Sequence, residues 1–114
     1  MYNKYHNKKI YFDGIKFDSK KEYKRYLELK LMLKSGLIKN LELQKRYELQ
    51  PSFKKNGKTI RKIEYLADFV YYDNKLNKII VQDTKGFRTE TYKIKKKLFE
   101  YKYPDLEIEE IWNL

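Results

Sequence analysis

The sequence has no cysteine, which excludes disulfides, thiolate metal sites and cysteine nucleophiles together. No run approaches the roughly 18 apolar residues of a membrane span. Residues 1–9 are polar and basic, without the apolar stretch that a secretory leader carries. A soluble, cytoplasmic protein is therefore expected. Internal repeats and low-complexity linkers are also missing, and 114 residues are too few for two ordinary domains. The expected organisation is a basic arm over residues 1–9, with His6 as a bystander, followed by one domain over residues 10–114.

Negative charge is scarce: 16 Asp and Glu stand against 27 Lys and Arg, a formal net charge of +11. Such an excess suits a polyanionic partner. AT-rich coding also enriches Lys, Asn, Ile and Tyr, so charge alone does not decide function. The distribution is uneven, because residues 1–40 hold eleven basic and four acidic residues whereas 105–110 carry Asp105, Glu107, Glu109 and Glu110. Apolar residues at 41% and aromatics at 17% are enough to bury a core despite the charge.

Hydrophobic periodicity sets out an α/β (α+β) chain. Ile10 to Phe12 and Ile15 to Phe17 flank Asp13-Gly14, a two-residue turn that signals a hairpin. Ser19 then caps a helix ending at Ser35-Gly36, with apolar residues at Tyr23, Tyr26, Leu27 and Leu31, Glu22 sharing a row with Tyr26, Leu29 and Leu33, and a Lys24–Glu28 pair on the outer face. From Leu41 to Leu49 the odd positions Leu41, Leu43, Tyr47 and Leu49 are apolar, as in a half-buried strand. An Asn56-Gly57 turn precedes Ile60 to Tyr72, apolar on both faces and so a central strand. Ile79 to Lys85 is the next strand. Thr89 caps a second helix running to about Lys102, with Ile94, Leu98 and Tyr101 on one face, and Leu106, Ile108 and then Ile111-Trp112 form a short terminal strand.

Two carboxylates fall inside apolar strands: Asp68 in Tyr65 to Val70, and Asp83 in Ile80 to Lys85. Buried ionised carboxylates are costly unless paired. If those strands form a hairpin centred between Lys75 and Leu76, Asp68 lies opposite Asp83. Two charges about 4 Å apart repel by roughly 4 kcal/mol at an effective dielectric near 20, so the pair calls for a shared proton or a cation. Mg²⁺, a hard ion that takes oxygen ligands and retains waters, fits. Lys85 points to the same strand face as Asp83. Glu22 faces the sheet side of its helix, although Ser19-x-x-Glu22 also reads as a capping box, and both roles are compatible. Gln44 and Lys45 border the strand of Asp68, and a bulge near Pro51 decides which of them meets the site.

Asp68, fourteen intervening residues and then Asp83-Thr84-Lys85, preceded by a helix bearing Glu22, resemble the PD-(D/E)XK nuclease superfamily. The order helix, three strands, helix, strand is also similar to its restriction-endonuclease-like core. More narrowly, Asp13 to Glu22, Tyr65 to Phe69 and Asp83 to Gly86 are similar to small phage-borne PD-(D/E)XK-like proteins of unknown function. The resemblance implies an N-terminal hairpin and helix, a three-stranded antiparallel meander, a helix and a strand. It further implies Mg²⁺-dependent DNA cleavage, with Mn²⁺ as substitute, in a host-cell cytoplasm. Asp68 and Asp83 would be metal ligands, Lys85 the catalytic lysine and Glu22 a further ligand or water positioner. Ala67 replaces the signature proline. The second helix has no glutamine, so it departs from the Gln-x-x-x-Tyr pattern of end-processing members. DNA phosphates are expected at Arg88, Lys93, Lys95 and Lys96, with Lys45 alongside. Because one small domain carries one site, cutting both strands implies a homodimer. The alternative is a catalytically silent DNA-binding or inhibitor protein on the same fold.

Overall fold

A computed structural model describes residues 9–84 and 88–112. Lys85 and all but the last residue of the expected arm lie outside the described residues. The first elements are strands β1 (Ile10–Phe12) and β2 (Ile15–Phe17), paired antiparallel across Asp13-Gly14. Asp13 and Gly14 take φ of 53° and 73°, the left-handed pair that a tight hairpin turn needs. Helix α1 (Lys20–Lys34) follows, and Ser19 accepts from the backbone N–H of Glu22 at 3.2 Å. Its buried row is Glu22, Tyr26 and Leu29, the row shared by Glu22, whereas Leu27 and Leu31 of the expected apolar set are exposed because the sheet covers only the Glu22 side. On its flank Glu28 pairs with Arg25 at 2.8 Å, not with the predicted Lys24.

Strands β3 (Ile38–Gln50), β6 (Ile63–Asp73) and β7 (Lys78–Thr84) form the antiparallel meander. After helix α2 (Glu90–Lys102), strand β8 (Ile108–Ile111) returns parallel to β7, giving the sheet order β3-β6-β7-β8. The helix supplies the crossover that a parallel neighbour requires. β4 (Phe53–Lys55) and β5 (Lys58–Ile60) form a separate two-stranded hairpin, so the long apolar run is shorter at its start than its composition suggests.

The β6–β7 register pairs Val70 with Val81 and Phe69 with Gln82, the predicted alignment about Lys75 and Leu76. Two cores flank the sheet. Phe17, Tyr26, Leu29, Phe69 and Tyr71 pack on the α1 side; Tyr65, Ala67, Tyr92 and Phe99 pack on the α2 side. β6 therefore changes face at Asp68, since Tyr65 and Ala67 belong to one core while Phe69 and Tyr71 belong to the other. β3 does the same: Leu41 and Leu43 face α1, whereas Tyr47 and Leu49 face α2. The single apolar face expected from the odd positions is thus split in two. The cause is Gln44, at a left-handed φ of 54° inside the strand, which breaks the alternation.

α2 buries Tyr92 and Phe99, while Ile94, Leu98 and Tyr101 are exposed. The apolar row read from the sequence is the solvent face; the aromatic row is the one that meets the Tyr47 and Tyr65 rings, 5.0 and 5.2 Å from Phe99. Phe99→Ala is expected to cost about 3–5 kcal/mol by leaving a cavity against those rings, and Ile94→Ala less than about 0.5 kcal/mol, as urea unfolding would register. Among the described residues no helix is long and apolar enough to cross a membrane.

Candidate metal and phosphate site

The switch of face at Gln44 and Asp68 builds the site. Leu43 pairs with Phe69 and Lys45 with Ala67, so Gln44 and Asp68 fall between these pairs. Asp68 is also one step beyond the last β6–β7 pair, Phe69 and Gln82, and in that register Asp83 is its counterpart. Its carboxylate takes over from the ladder, with Oδ2 accepting from the Thr84 backbone N–H at 2.8 Å and from the Thr84 hydroxyl at 2.9 Å. Asp83 is buried at 3% exposure, and its Oδ2 accepts from the Tyr65 hydroxyl at 2.7 Å.

Glu22 reaches the same place from α1. Its backbone uses the Ser19 cap, but its side chain turns to the sheet, where Oε1 accepts from the Gln44 amide at 2.9 Å. Burial, followed by the charges of Asp68 and Asp18, pushes the Glu22 carboxyl up to about 8. Burial and then the charge of Asp83 raise Asp68 to about 6, against the lowering effect of Thr84. Burial and then Asp83 drive the Tyr65 phenol far above its ordinary range, so it remains a donor. Burial, reinforced by neighbouring carboxylates, thus disfavours ionisation of both Glu22 and Asp68.

Among the described residues no three His, Cys, Asp or Glu side chains are gathered into a set able to hold an ion. The carboxylates interact across the cluster while Gln44, Thr84 and Tyr65 each orient one of them. Gln44→Ala would leave the buried Glu22 carboxyl without its donor, a cost of about 1–3 kcal/mol. The destabilisation is expected to grow as pH rises and the carboxyl must ionise, a trend that denaturation at several pH values would check.

The predicted phosphate-binding cations stand in other company. Arg88 donates to both Glu110 oxygens, through Nε at 3.1 Å, and stacks near Trp112. The Arg88 hydrogen bond, the largest cause, lowers Glu110 to about 2. Lys93 pairs with Glu90 at 3.0 Å, Lys96 with Glu100 at 3.2 Å and Lys45 with Glu42 at 2.9 Å. Lys95 is half-buried on α2. Of the two β3 residues expected to border the site, Gln44 does so.

Sequence reasoning missed Tyr65 and Thr84 as orienting groups, and also the Gln82 clamp beside them. Gln82 is 1% exposed; its amide nitrogen donates to Tyr71 at 2.9 Å and Glu109 at 2.8 Å, and its oxygen accepts from Arg25 at 3.0 Å. It ties α1, β6, β7 and β8 together one residue from Asp83. Its position inside an apolar strand was the signal, since a buried amide must find partners.

Comparison with curated proteins gave no match, and comparison with solved structures gave none either. A family model matches residues 2–113, nearly the whole chain, and the chain belongs to that family, described as "Protein of unknown function (DUF1064)".

Proposed function

We propose that the chain is a metal-dependent DNA endonuclease that hydrolyses phosphodiester bonds at the Glu22, Asp68 and Asp83 cluster. The observation that carries this reading is that three carboxyl groups from α1, β6 and β7 lie close enough to act on one another at the sheet's change of face, each oriented by its own hydrogen-bond donor. An all-oxygen donor set suits a hard divalent cation. Burial and then the neighbouring carboxylates raise Glu22 and Asp68, and a cation would offset both by compensating the charge. Mg²⁺, or Mn²⁺ in its place, would be held by Asp68 and Asp83, with Glu22 as a further ligand. When bound, the ion supplies Lewis acidity toward a phosphoryl oxygen and lowers the pKa of water.

The chain's own residues do the rest. Glu22, held toward the sheet by the Gln44 amide, is placed to position water beside the ion. Lys85, two residues after Asp83 in sequence, offers positive charge to the phosphate as negative charge develops there. Branched or recombination-intermediate DNA, in a phage context, is the proposed substrate, and two copies would cut two strands.

The test is incubation of plasmid and four-way-junction DNA with the protein in Mg²⁺, in Mn²⁺ and in EDTA. Cleavage in the metal arms alone is expected. Binding without cleavage in every arm would favour the second reading, a catalytically silent DNA-binding or inhibitor protein. The absence of a gathered three-carboxylate set among the described residues is the observation on that side.

A further inference from the structure

The β4–β5 hairpin stands off the main sheet as a two-stranded ribbon of its own, and every residue from Pro51 to Ile63 is exposed. Within residues 51–62 lie Lys54, Lys55, Lys58, Arg61 and Lys62, with no acidic residue among them. Lys62 lies 3.6 Å from Glu64. Lys54, Lys55, Lys58 and Arg61 have no carboxylate partner among the described residues, unlike Arg88, Lys93 and Lys96 near or on α2.

Lys55 and Lys58 are also directly opposite one another in the ladder, and facing like charges weaken a strand pair. An isolated two-stranded hairpin is marginal in water. This one relies on the Asn56-Gly57 turn, at φ of 52° and 73°, and on the cross-strand pair of Phe53 and Ile60. Concentrating unneutralised positive charge at the tip of such a ribbon costs stability and gains nothing within the chain. A polyanion outside it removes the cost.

Shape narrows the partner. A two-stranded ribbon fits the major groove of B-form DNA, about 12 Å wide, whereas that of A-form RNA is deep and too narrow to enter. The ribbon also continues the strands that build the site: Gln50 pairs with Ile63 at its base, five residues along β6 from Asp68. At about 3.3 Å per residue that is roughly 17 Å, or five base-pair steps of about 3.4 Å. We propose that the β4–β5 hairpin is a DNA-gripping ribbon that seats in the major groove of a B-form duplex, with its base about five base-pair steps from the Glu22, Asp68 and Asp83 cluster. This rests on the nuclease reading for the meaning of that distance, but not for the binding itself.

The experiment measures binding of a labelled duplex by anisotropy in EDTA, across a salt series, with the full chain. Lys54→Gln/Lys55→Gln/Lys58→Gln is compared with Lys24→Gln/Lys30→Gln/Lys34→Gln on the outer face of α1, which removes the same net charge. The hairpin variant should lower the log-log salt slope by about 0.9 for each phosphate it no longer neutralises, while its melting temperature stays level or rises because the Lys55–Lys58 repulsion is gone. The control should barely change the slope. An RNA duplex of the same sequence should bind more weakly than the DNA. Failure of the wild type to bind duplex DNA, an unchanged slope in the hairpin variant, or equal binding of RNA would each overturn the proposal. A wild type that binds through the hairpin but does not cleave in Mg²⁺ would uphold the ribbon and remove only the nuclease reading.

Discussion

Asp83→Asn is expected to reduce Mg²⁺-dependent DNA cleavage on the order of 10³-fold while leaving the fold intact. The amide keeps an oxygen able to accept from the Tyr65 hydroxyl, now 2.7 Å from the carboxylate, so the buried phenol is not orphaned. What disappears is the charge that would hold the ion, and with it the stabilisation of charge developing on the phosphate. Asp83→Ala lacks that oxygen and should lower stability as well as activity. Lys85→Ala should reduce the rate to a similar degree with no change in metal affinity, because an ammonium group does not ligate. Single-turnover rates on one DNA substrate, set beside melting curves, separate these outcomes. Cleavage that survives both Asp83→Asn and Lys85→Ala would move the chemistry to another site.

Stability in EDTA should fall as pH rises, the reverse of the usual carboxylate behaviour. Glu22, raised from 4.5 to about 8, and Asp68, raised from 3.8 to about 6, bind protons more tightly in the folded chain than in the unfolded one. Between the unfolded and folded values the folded state carries the extra proton. Its contribution is therefore greatest below about pH 4 and is lost as pH rises through about 6 for Asp68 and about 8 for Glu22. For Glu22 alone the change from about pH 5.5 to about pH 8 is on the order of 3 kcal/mol, or roughly 10–20 °C in melting temperature for a domain of this size. Glu22→Gln should flatten the profile, since a neutral amide has no proton to lose. Mg²⁺ or Mn²⁺ should restore stability most at high pH, where the carboxylates are ionised and ready to bind. A melting temperature that is flat or rising from about pH 5.5 to about pH 8 in EDTA would show that Glu22 and Asp68 ionise freely, without the crowding that the site geometry implies.

Local signals carried most of the fold. Asp13-Gly14 placed the first hairpin, Ser19 and Ser35 bounded α1, Thr89 capped α2, and the turn about Lys75 and Leu76 fixed the β6–β7 register that makes Asp83 the counterpart of Asp68. The failures share a cause: periodicity reports which residues are apolar, not which neighbour covers them. Leu41, Leu43, Tyr47 and Leu49 form one stripe only if the strand alternates throughout, and the left-handed turn of Gln44 breaks it. Glutamine gives no warning of that conformation, because it is not among the residues that favour left-handed backbone. On α2, Ile94, Leu98 and Tyr101 make a tidy helical row, yet Tyr92 and Phe99 win the core because the rings of Tyr47 and Tyr65 are there to receive them. At the site, Glu22, Asp68 and Asp83 were legible because a carboxylate in an apolar setting needs a reason. Tyr65 and Thr84 were not, since each is an ordinary strand residue until its partner is known.

Mn²⁺ binding by the protein without DNA, followed near pH 8 through disappearance of the free-ion electron paramagnetic resonance signal, tests the cluster itself. The account predicts that the wild type captures the ion, more weakly as pH falls through about 6 and protons return to Asp68, and that Asp68→Asn and Asp83→Asn each abolish most of that capture. A wild type that leaves Mn²⁺ free at every pH, or uptake that is indifferent to both substitutions, would contradict it.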